Sequence, residues 1–257
     1  MEKLSVMSEI TRYEVLGCPV DGVDMRQALD YVAKSVKERT EPGFVLAVNP
    51  EKVYVLRNDA FLREFFNRAA LLIPDGIGMV KGLKILHKLK ISRVPGADLM
   101  QNICAEAPER GYKIFIYGSS EEVNSKSCEI LRERHPGIQI VGRANGFVKA
   151  EEMDSLVQKI NESCADILFI AMGSPRQENW MRDFGSKLTT VKICQGIGGT
   201  LDTIVGTVKR APIFWQKMNL EWFYRLLCQP SRFKRQLRCI KFALEVYKMK
   251  FFGNKYK

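Results

Sequence analysis

Apolar and polar positions alternate in blocks along the first two hundred residues. Short, nearly continuous apolar runs predict buried strands, and these runs lie at 13–17, 44–48, 70–73, 112–118, 138–143, 165–173 and 190–199. Between them, apolar residues recur at steps of three and four, which predicts amphipathic helices at 24–39, 97–110, 119–135 and 151–163. This alternation is typical of an α/β fold, in which a mainly parallel sheet has helices on both faces.

Three loops that follow predicted strands contain glycines and open a helix: YGSSEE (117–122), AMGSPRQENW (171–180) and QGIGGTLD (195–202). Glycine lets the backbone approach a ligand closely, and a helix N-terminus presents N–H groups to phosphate. Most such loops are only turns, and neither of the common glycine-rich nucleotide motifs is present. The glycines that we consider for a nucleotide pocket are Gly118, Gly173, Gly198 and Gly199. Ser119 and Glu122 have the spacing of a capping box.

One carboxylate, Asp75, stands between a proline and a glycine at the end of a predicted strand, in LLIPDGIGMV (71–80). Pro-Asp-Gly is a common turn sequence, so Asp75 has a structural explanation. In a parallel sheet, however, ligands bind at the carboxyl ends of the strands, where an acid can act as a base. The pattern alone leaves both interpretations open. A rival acid, Asp98, lies at a predicted helix start, where dipole stabilisation explains it.

Composition excludes several classes. Seven scattered cysteines without a C-x-x-C pair argue against a disulfide framework and a zinc site. Two histidines, His87 and His135, make a histidine-based triad or metal cluster improbable. We expect no metal and no cofactor. No apolar run is long enough to span a bilayer and the N-terminus does not resemble a signal peptide, so we expect a cytosolic protein.

The net charge of +11 is concentrated at the C-terminus. Residues 207–257 contain 13 Lys and Arg against two Glu, whereas the first 206 residues contain 27 charges of each sign. After Pro230, Ser231 can cap a helix with one apolar stripe, formed by Phe233, Leu237, Ile240, Leu244, Tyr247 and Phe251. A basic amphipathic helix with aromatic residues favours an anionic membrane surface. Packing on the core or on another subunit, and binding of nucleic acid, are the alternatives.

Taken together, these segments resemble the WecG/TagA/CpsF family of bacterial glycosyltransferases. The resemblance runs from about Tyr13 to Arg238, and it rests on LLIPDGIGMV, RVPGADLM, YGSSEE, AMGSPRQENW, QGIGGTLD, GTVKRAP and LEWFYRLLCQPSRFKR. It implies a Rossmann-like fold and an inverting, metal-independent transfer from a UDP-sugar donor to an undecaprenyl-diphosphate-linked acceptor. The implied place is the inner face of the cell membrane, with a peripheral attachment. The best-known members add N-acetylmannosamine to lipid-linked N-acetylglucosamine for the linkage unit of wall teichoic acid.

Matched position by position, the resemblance implies that Asp75 is the base and that Arg93, Asn49 and Gln177 share the catalytic site. It places Gln177 and Asp202 in the nucleotide-sugar pocket. The tail arginines that match those thought to hold the diphosphate are Arg225, Arg232 and Arg235. One position departs from the pattern, because the family often has Thr where this chain has Ala47.

We therefore expect a Rossmann-like catalytic domain over residues 1–206 and a basic helical appendage over 207–257, which contacts the membrane and closes over the active site. Two alternatives stay open. The same fold and mechanism could use a glucosyl, glucuronosyl or N-acetylmannosaminuronosyl donor for capsule or exopolysaccharide, with Arg176 or Arg143 as the extra cation for a uronate. A nucleic-acid-binding protein with a basic tail is the alternative from another class, although we expect no nucleic-acid partner. A homo-oligomer also stays open.

Overall fold

A computed structural model describes residues 10–208, 211–212, 214–215, 218, 223–224, 226 and 233–253, with side chains in the last segment described from Leu237 onward. The strands are β1 (Arg12–Val15), β2 (Cys18–Asp21), β3 (Gly43–Val48), β4 (Leu71–Pro74), β5 (Lys113–Gly118), β6 (Gln139–Ala144), β7 (Ile167–Ala171) and β8 (Ile193–Gly196). Six of them form a parallel sheet in the order β4-β3-β8-β7-β5-β6. This confirms the predicted α/β class.

Helices cover both faces of this sheet. One face carries α1 (Met25–Glu38), α5 (Gly96–Arg110), α6 (Glu121–Arg134) and α9 (Thr200–Val205). The other carries α2 (Pro50–Asn58), α3 (Ala60–Asn67), α4 (Ile77–His87), α7 (Met153–Glu162), α8 (Arg176–Phe184) and α10 (Phe233–Phe252), and short 3₁₀ turns lie at Ala150–Glu152 and Gly185–Lys187. Successive side chains of a strand point to opposite faces, so Val45 packs in one core and Leu46 in the other.

The first predicted strand does not join the parallel sheet. It pairs antiparallel with β2, a strand that the apolar pattern did not predict, through a turn at Leu16 and Gly17. The buried carboxylate of Asp21 connects this hairpin to the edge of the sheet. Within the hairpin it accepts a hydrogen bond from Arg12 Nε (2.8 Å), and across to β4 it accepts one from the backbone N–H of Leu72 (2.8 Å). The hairpin therefore provides a hydrogen-bond acceptor for a backbone N–H group on the edge strand β4, which would otherwise have no partner strand on that side among the described residues.

The capping box predicted at Ser119 and Glu122 is wrong by one residue. The N-cap of α6 is Ser120, whose hydroxyl accepts from Val123 N–H (3.2 Å). Ser119 instead has a φ of +58°, and its backbone N–H donates to Ala171 O (2.8 Å) at the end of β7, on which Gly118 also packs. Contact between two strand ends thus decides where the helix begins.

The predicted tail helix is present as α10, and it packs on α4 and α2. Its contact face is formed by Phe242 and Val246, both buried, and Phe242 lies against Gly78 and Gly82 of α4. Glu245 binds Arg57 Nη2 (2.7 Å) and accepts from Tyr54 Oη (3.3 Å) on α2. Burial, together with this carboxylate, raises the pKa of Tyr54 to about 12.

The predicted apolar stripe lies on the opposite side of α10 and is exposed. Leu237, Ile240, Leu244, Tyr247 and Phe251 are between 49% and 72% exposed. At about 100° per residue, these positions lie on the far side of the helix from Phe242 and Val246. The helix is therefore apolar on two faces, and one of them packs on α4 and α2 of the described part of the chain.

Candidate active site

Helix N-termini gather at the carboxyl edge of the parallel sheet, where α2, α4, α6, α8 and α9 begin immediately or shortly after strands. The start of α5, which follows α4, returns to the same edge beside Pro74 and Gly196. Within residues 10–208, side chains cap α2 and α6, whereas α4, α5 and α8 begin without a side-chain cap at Gly76, Pro95 and Pro175. Their first N–H groups and the positive ends of their dipoles face this edge, so it is suited to an anion such as a diphosphate.

Three of the expected catalytic residues lie in neighbouring segments at the ends of β3 and β4. The backbone N–H of Asp75 donates to Val48 O (2.9 Å), which holds the acid beside the end of β3. A Cβ at Gly76 would lie 3.8 Å from Cβ of Asn49. The N–H of Val94 donates to Pro74 O (2.9 Å), and this bond brings Arg93 to the same strand end.

Asn49 has a structural role of its own. Its Oδ1 accepts from the backbone N–H groups of Glu51 (3.1 Å) and Lys52 (3.2 Å), so Asn49 is the N-cap of α2. The amide Nδ2 is not used by this cap. Asn49 can therefore hold the start of α2 and still present a hydrogen-bond donor beside Asp75.

Gln177 lies in the first turn of α8 and is buried. Its Oε1 accepts from the backbone N–H of Gly198 (3.0 Å), and the absence of a side chain at Gly196 leaves room for its amide group. Gln177 therefore fixes the glycine loop after β8. Asp202 lies in the first turn of α9, where a Cβ at Gly199 would be 3.6 Å from its Oδ2.

The positions expected to line the nucleotide pocket require glycine for different physical reasons. Gly118, with a φ of +122°, packs so closely on the Ala171 backbone that a Cβ would collide with it. Gly173 (φ +71°) and Gly198 (φ +54°) have open space around the missing Cβ. Gly118 is thus explained by its φ and its packing without a ligand, whereas the open surroundings of Gly173 and Gly198 leave room for one.

The expected cations are distributed unevenly. Arg143 Nη1 binds Glu121 Oε1 (2.5 Å), while Arg176 is exposed at the start of α8. Arg225 and Arg232 lie outside the described residues, and Arg235 lies on the described backbone of α10 without a described side chain. Asp98, the rival acid, is in the first turn of α5 as expected.

Three residues behind the loops were not predicted from the sequence. Gln195 on β8 is fully buried, and its Nε2 donates to Gly96 O (2.9 Å), next to Ala47. Lys52 and Glu178 form a buried ion pair between α2 and α8. In the sequence, Lys52 and Glu178 are visible as charged residues in the first turns of helices that follow buried strands. Single charges at such positions are common, so they did not indicate a buried pair.

The described residues have two further features. They contain no group of three or more His, Cys, Asp and Glu side chains that could hold a metal ion. None of their helices is both long enough and apolar enough to cross a membrane.

The protein is an α/β protein with an open parallel sheet. At the carboxyl edge of that sheet, an acid, an amide and glycine loops form the features of a ligand site. The comparison with protein families then gives the particular class. The family model of the glycosyl transferase WecG/TagA/CpsF family matches residues 13–256, nearly the whole chain. The chain belongs to this family of glycosyltransferases, which transfer a sugar from a donor to an acceptor.

Proposed function

We propose that the protein transfers N-acetylmannosamine, with inversion, from UDP-N-acetylmannosamine to undecaprenyl-diphosphate-linked N-acetylglucosamine, the step that forms the linkage unit of wall teichoic acid. The observation that carries the proposal is the convergence of Asp75, Asn49 and Arg93 at the ends of β3 and β4, beside helix N-termini that lack side-chain caps. The family assignment supports the choice of sugar transfer.

In this proposal Asp75 is the general base. The acceptor hydroxyl attacks the anomeric carbon of the donor sugar and gives its proton to the Asp75 carboxylate. The bond from the anomeric carbon to the UDP oxygen breaks, and UDP leaves on the opposite side of the sugar, so the configuration inverts. A carboxylate in a turn at the strand ends is placed to approach such a hydroxyl within hydrogen-bond distance.

Departure of UDP places negative charge on the diphosphate. The N–H groups at the start of α8 and of Gly199 are suited to bind this charge, whereas the Gly198 N–H already donates to Gln177 Oε1. Arg93 supplies a cation from the β4 side. We assign Arg225, Arg232 and Arg235 to the same task, because a guanidinium can bind a diphosphate through two parallel hydrogen bonds. Gln177, Gly173 and Asp202 complete the donor pocket in this proposal.

We further propose that α10 attaches the protein to an anionic membrane surface on the cytoplasmic side, where a lipid-linked acceptor is available. The exposed stripe of Leu237, Ile240, Leu244, Tyr247 and Phe251 supports this, since an apolar helix face of this size in water is costly and marks an interaction surface. Lysines beside the stripe favour anionic headgroups over a neutral partner.

The test is UDP release by the full chain from a panel of UDP-sugars, with a synthetic lipid-diphosphate N-acetylglucosamine acceptor. We expect turnover with UDP-N-acetylmannosamine and a loss of about 10²–10⁴ in kcat for Asp75→Asn, the range for a lost general base. The matched control is Asp98→Asn, the neighbouring acid on α5, which should keep most of the activity.

Each other result has a definite meaning. Turnover with a uronic acid or glucosyl donor would keep the mechanism and move the enzyme to a capsule or exopolysaccharide pathway. An Asp75→Asn variant as active as the unmodified protein would show that the acid only shapes the turn, and the proposed base would be wrong.

A further inference from the structure

A buried ion pair lies behind the candidate site and joins two of its walls. Lys52 on α2 and Glu178 on α8 are only 5% and 2% exposed. The Lys52 ammonium group binds Glu178 Oε1, donates to Ser174 Oγ (2.6 Å) and lies 5.2 Å from the ring centroid of Phe66. Since α2 follows β3 and α8 follows β7, the pair spans the end of β8, which lies between those strands.

Both ends of this contact continue into residues of the site. The backbone N–H of Lys52 donates to Asn49 Oδ1 (3.2 Å), so the same residue holds the cap beside Asp75. On the other side, Glu178 follows Gln177, whose Oε1 accepts from Gly198 N–H (3.0 Å). One bonded network therefore connects the loops at the ends of β3, β7 and β8.

Stability is a poor explanation for this pair. Removing two charges from water carries a large desolvation penalty, and buried ion pairs often stabilise a fold no better than apolar side chains of similar size. Moreover, Glu178 Oε2 is buried without a hydrogen-bond partner among the described residues, which adds a further cost. A role in fixing the geometry of the neighbouring loops explains better why the Lys52–Glu178 ion pair is buried between α2 and α8.

We propose that Lys52 and Glu178 are positioning residues for the glycosyl transfer, which fix the 173–178 loop relative to Asn49 and thereby set the separation of the donor and acceptor sides of the site. This inference rests on the proposed function. Neither residue touches a substrate in it, because the Lys52 ammonium is already occupied by Ser174, Glu178 and the Phe66 ring. Ser174 is exposed and transmits the position of Lys52 to the loop surface.

The test uses the double variant Lys52→Met/Glu178→Leu in the full chain. Replacement of both partners by apolar residues leaves no buried charge unpaired, so the melting temperature should stay within a few degrees of the unmodified protein. Hydrogen–deuterium exchange should nevertheless become faster in residues 49–52, 173–178 and 196–199 and stay unchanged elsewhere. In the UDP-release assay, kcat/KM should fall by about 10- to 100-fold, because small displacements of reacting groups have large effects on rate.

A single variant and a control complete the design. Ser174→Ala leaves the buried pair intact and should also lower kcat/KM. Added to the double variant, Ser174→Ala should have little further effect, because its role runs through Lys52. The control Lys187→Met removes a lysine from the exposed pair with Asp154 (2.5 Å) and should leave exchange and activity unchanged.

The outcomes separate this inference from the proposed function. Unchanged exchange in the three loops of the double variant overturns it, and so does faster exchange with unchanged kcat/KM. A fully additive loss from Ser174→Ala also contradicts it, since Ser174 would then act on the substrate independently. If the unmodified protein turns over no UDP-sugar, the proposed function fails, and with it the role of this pair in sugar transfer. The exchange data still decide, in that case, whether the Lys52–Glu178 pair holds the loops at 49–52, 173–178 and 196–199.

Discussion

At the residue scale, Asn49 combines a cap and a candidate catalytic group in one side chain. Its Oδ1 satisfies two N–H groups of α2, and its Nδ2 remains for the site beside Asp75. The two uses can be separated by chemistry, because serine can replace the capping oxygen but has no amide. This makes Asn49 the most informative single position near the proposed base.

We predict that Asn49→Ala lowers the free energy of unfolding by about 1 kcal/mol, the usual value of a lost N-cap, and that Asn49→Ser restores nearly all of it. Both variants should lose activity to a similar extent, about 10²-fold or more if the amide binds charge that develops during transfer. Urea unfolding and UDP release measure the two effects. An Asn49→Ser variant with full activity would show that only the cap matters.

Single residues were predicted from the sequence where local chemistry decides, and missed where contacts between distant segments decide. Pro-Asp-Gly correctly indicated a turn after a buried strand. The spacing of Ser119 and Glu122 fitted a capping box, but the packing of Gly118 on Ala171 moves the helix start to Ser120. Nothing in the sequence near Lys52 showed that its partner would be 126 positions away.

At the element scale, α10 shows how an amphipathic pattern can be correct about a helix and incomplete about its packing. The pattern identified one apolar stripe, yet the side that contacts α4 is formed by Phe242 and Val246. On α4 this contact lies over two glycines, since a Cβ at Gly78 or Gly82 would be 3.8 or 3.4 Å from the Phe242 ring. A helical pattern cannot report which of two apolar sides meets the core, since this depends on the partner surface.

We predict that Phe242→Ala weakens the docking of α10 by about 3 kcal/mol, the lower end for loss of a buried phenylalanine. Trypsin should then cleave faster within α10, for example after Arg238, Lys241 and Lys248. The matched control is Phe251→Ala on the exposed stripe, where 72% exposure leaves little packing to lose. Equal cleavage rates for the two variants would contradict the packing of α10 on α4.

At the scale of the whole molecule, the charge distribution is more uneven than the sequence totals indicate. The first 206 residues are neutral in total, but residues 77–93 contain five Lys and Arg and no acid. In the fold, α4 from this segment lies against α10, so the two basic segments are neighbours. The order of the six strands, which brings such distant segments together, also could not be derived from the apolar pattern, although the parallel sheet and its two covered faces could.

We predict that the full chain sediments with vesicles rich in phosphatidylglycerol and not with phosphatidylcholine vesicles, and that added salt weakens the binding. The double variant Ile240→Ser/Leu244→Ser should bind at least about tenfold more weakly, because each side chain contributes roughly 1.5–3 kcal/mol when buried. The control Phe61→Ser removes an exposed phenylalanine from α3. Unchanged vesicle binding by the stripe variant would show that the stripe is not the membrane contact. Salt-sensitive binding to duplex DNA without lipid would favour the nucleic-acid alternative.

The contact of Phe242 with Gly78 also determines how far the proposed base, Asp75, would lie from a membrane bound by α10. Gly78 is three residues after Asp75, and an α-helix with its side chains is about 10–12 Å across. With the exposed stripe of α10 in the headgroup region, the proposed base would stand about one helix diameter above the hydrocarbon. The sugar of a lipid-linked acceptor could then reach Asp75 by extending its diphosphate alone, and its polyprenyl chain would never have to leave the bilayer.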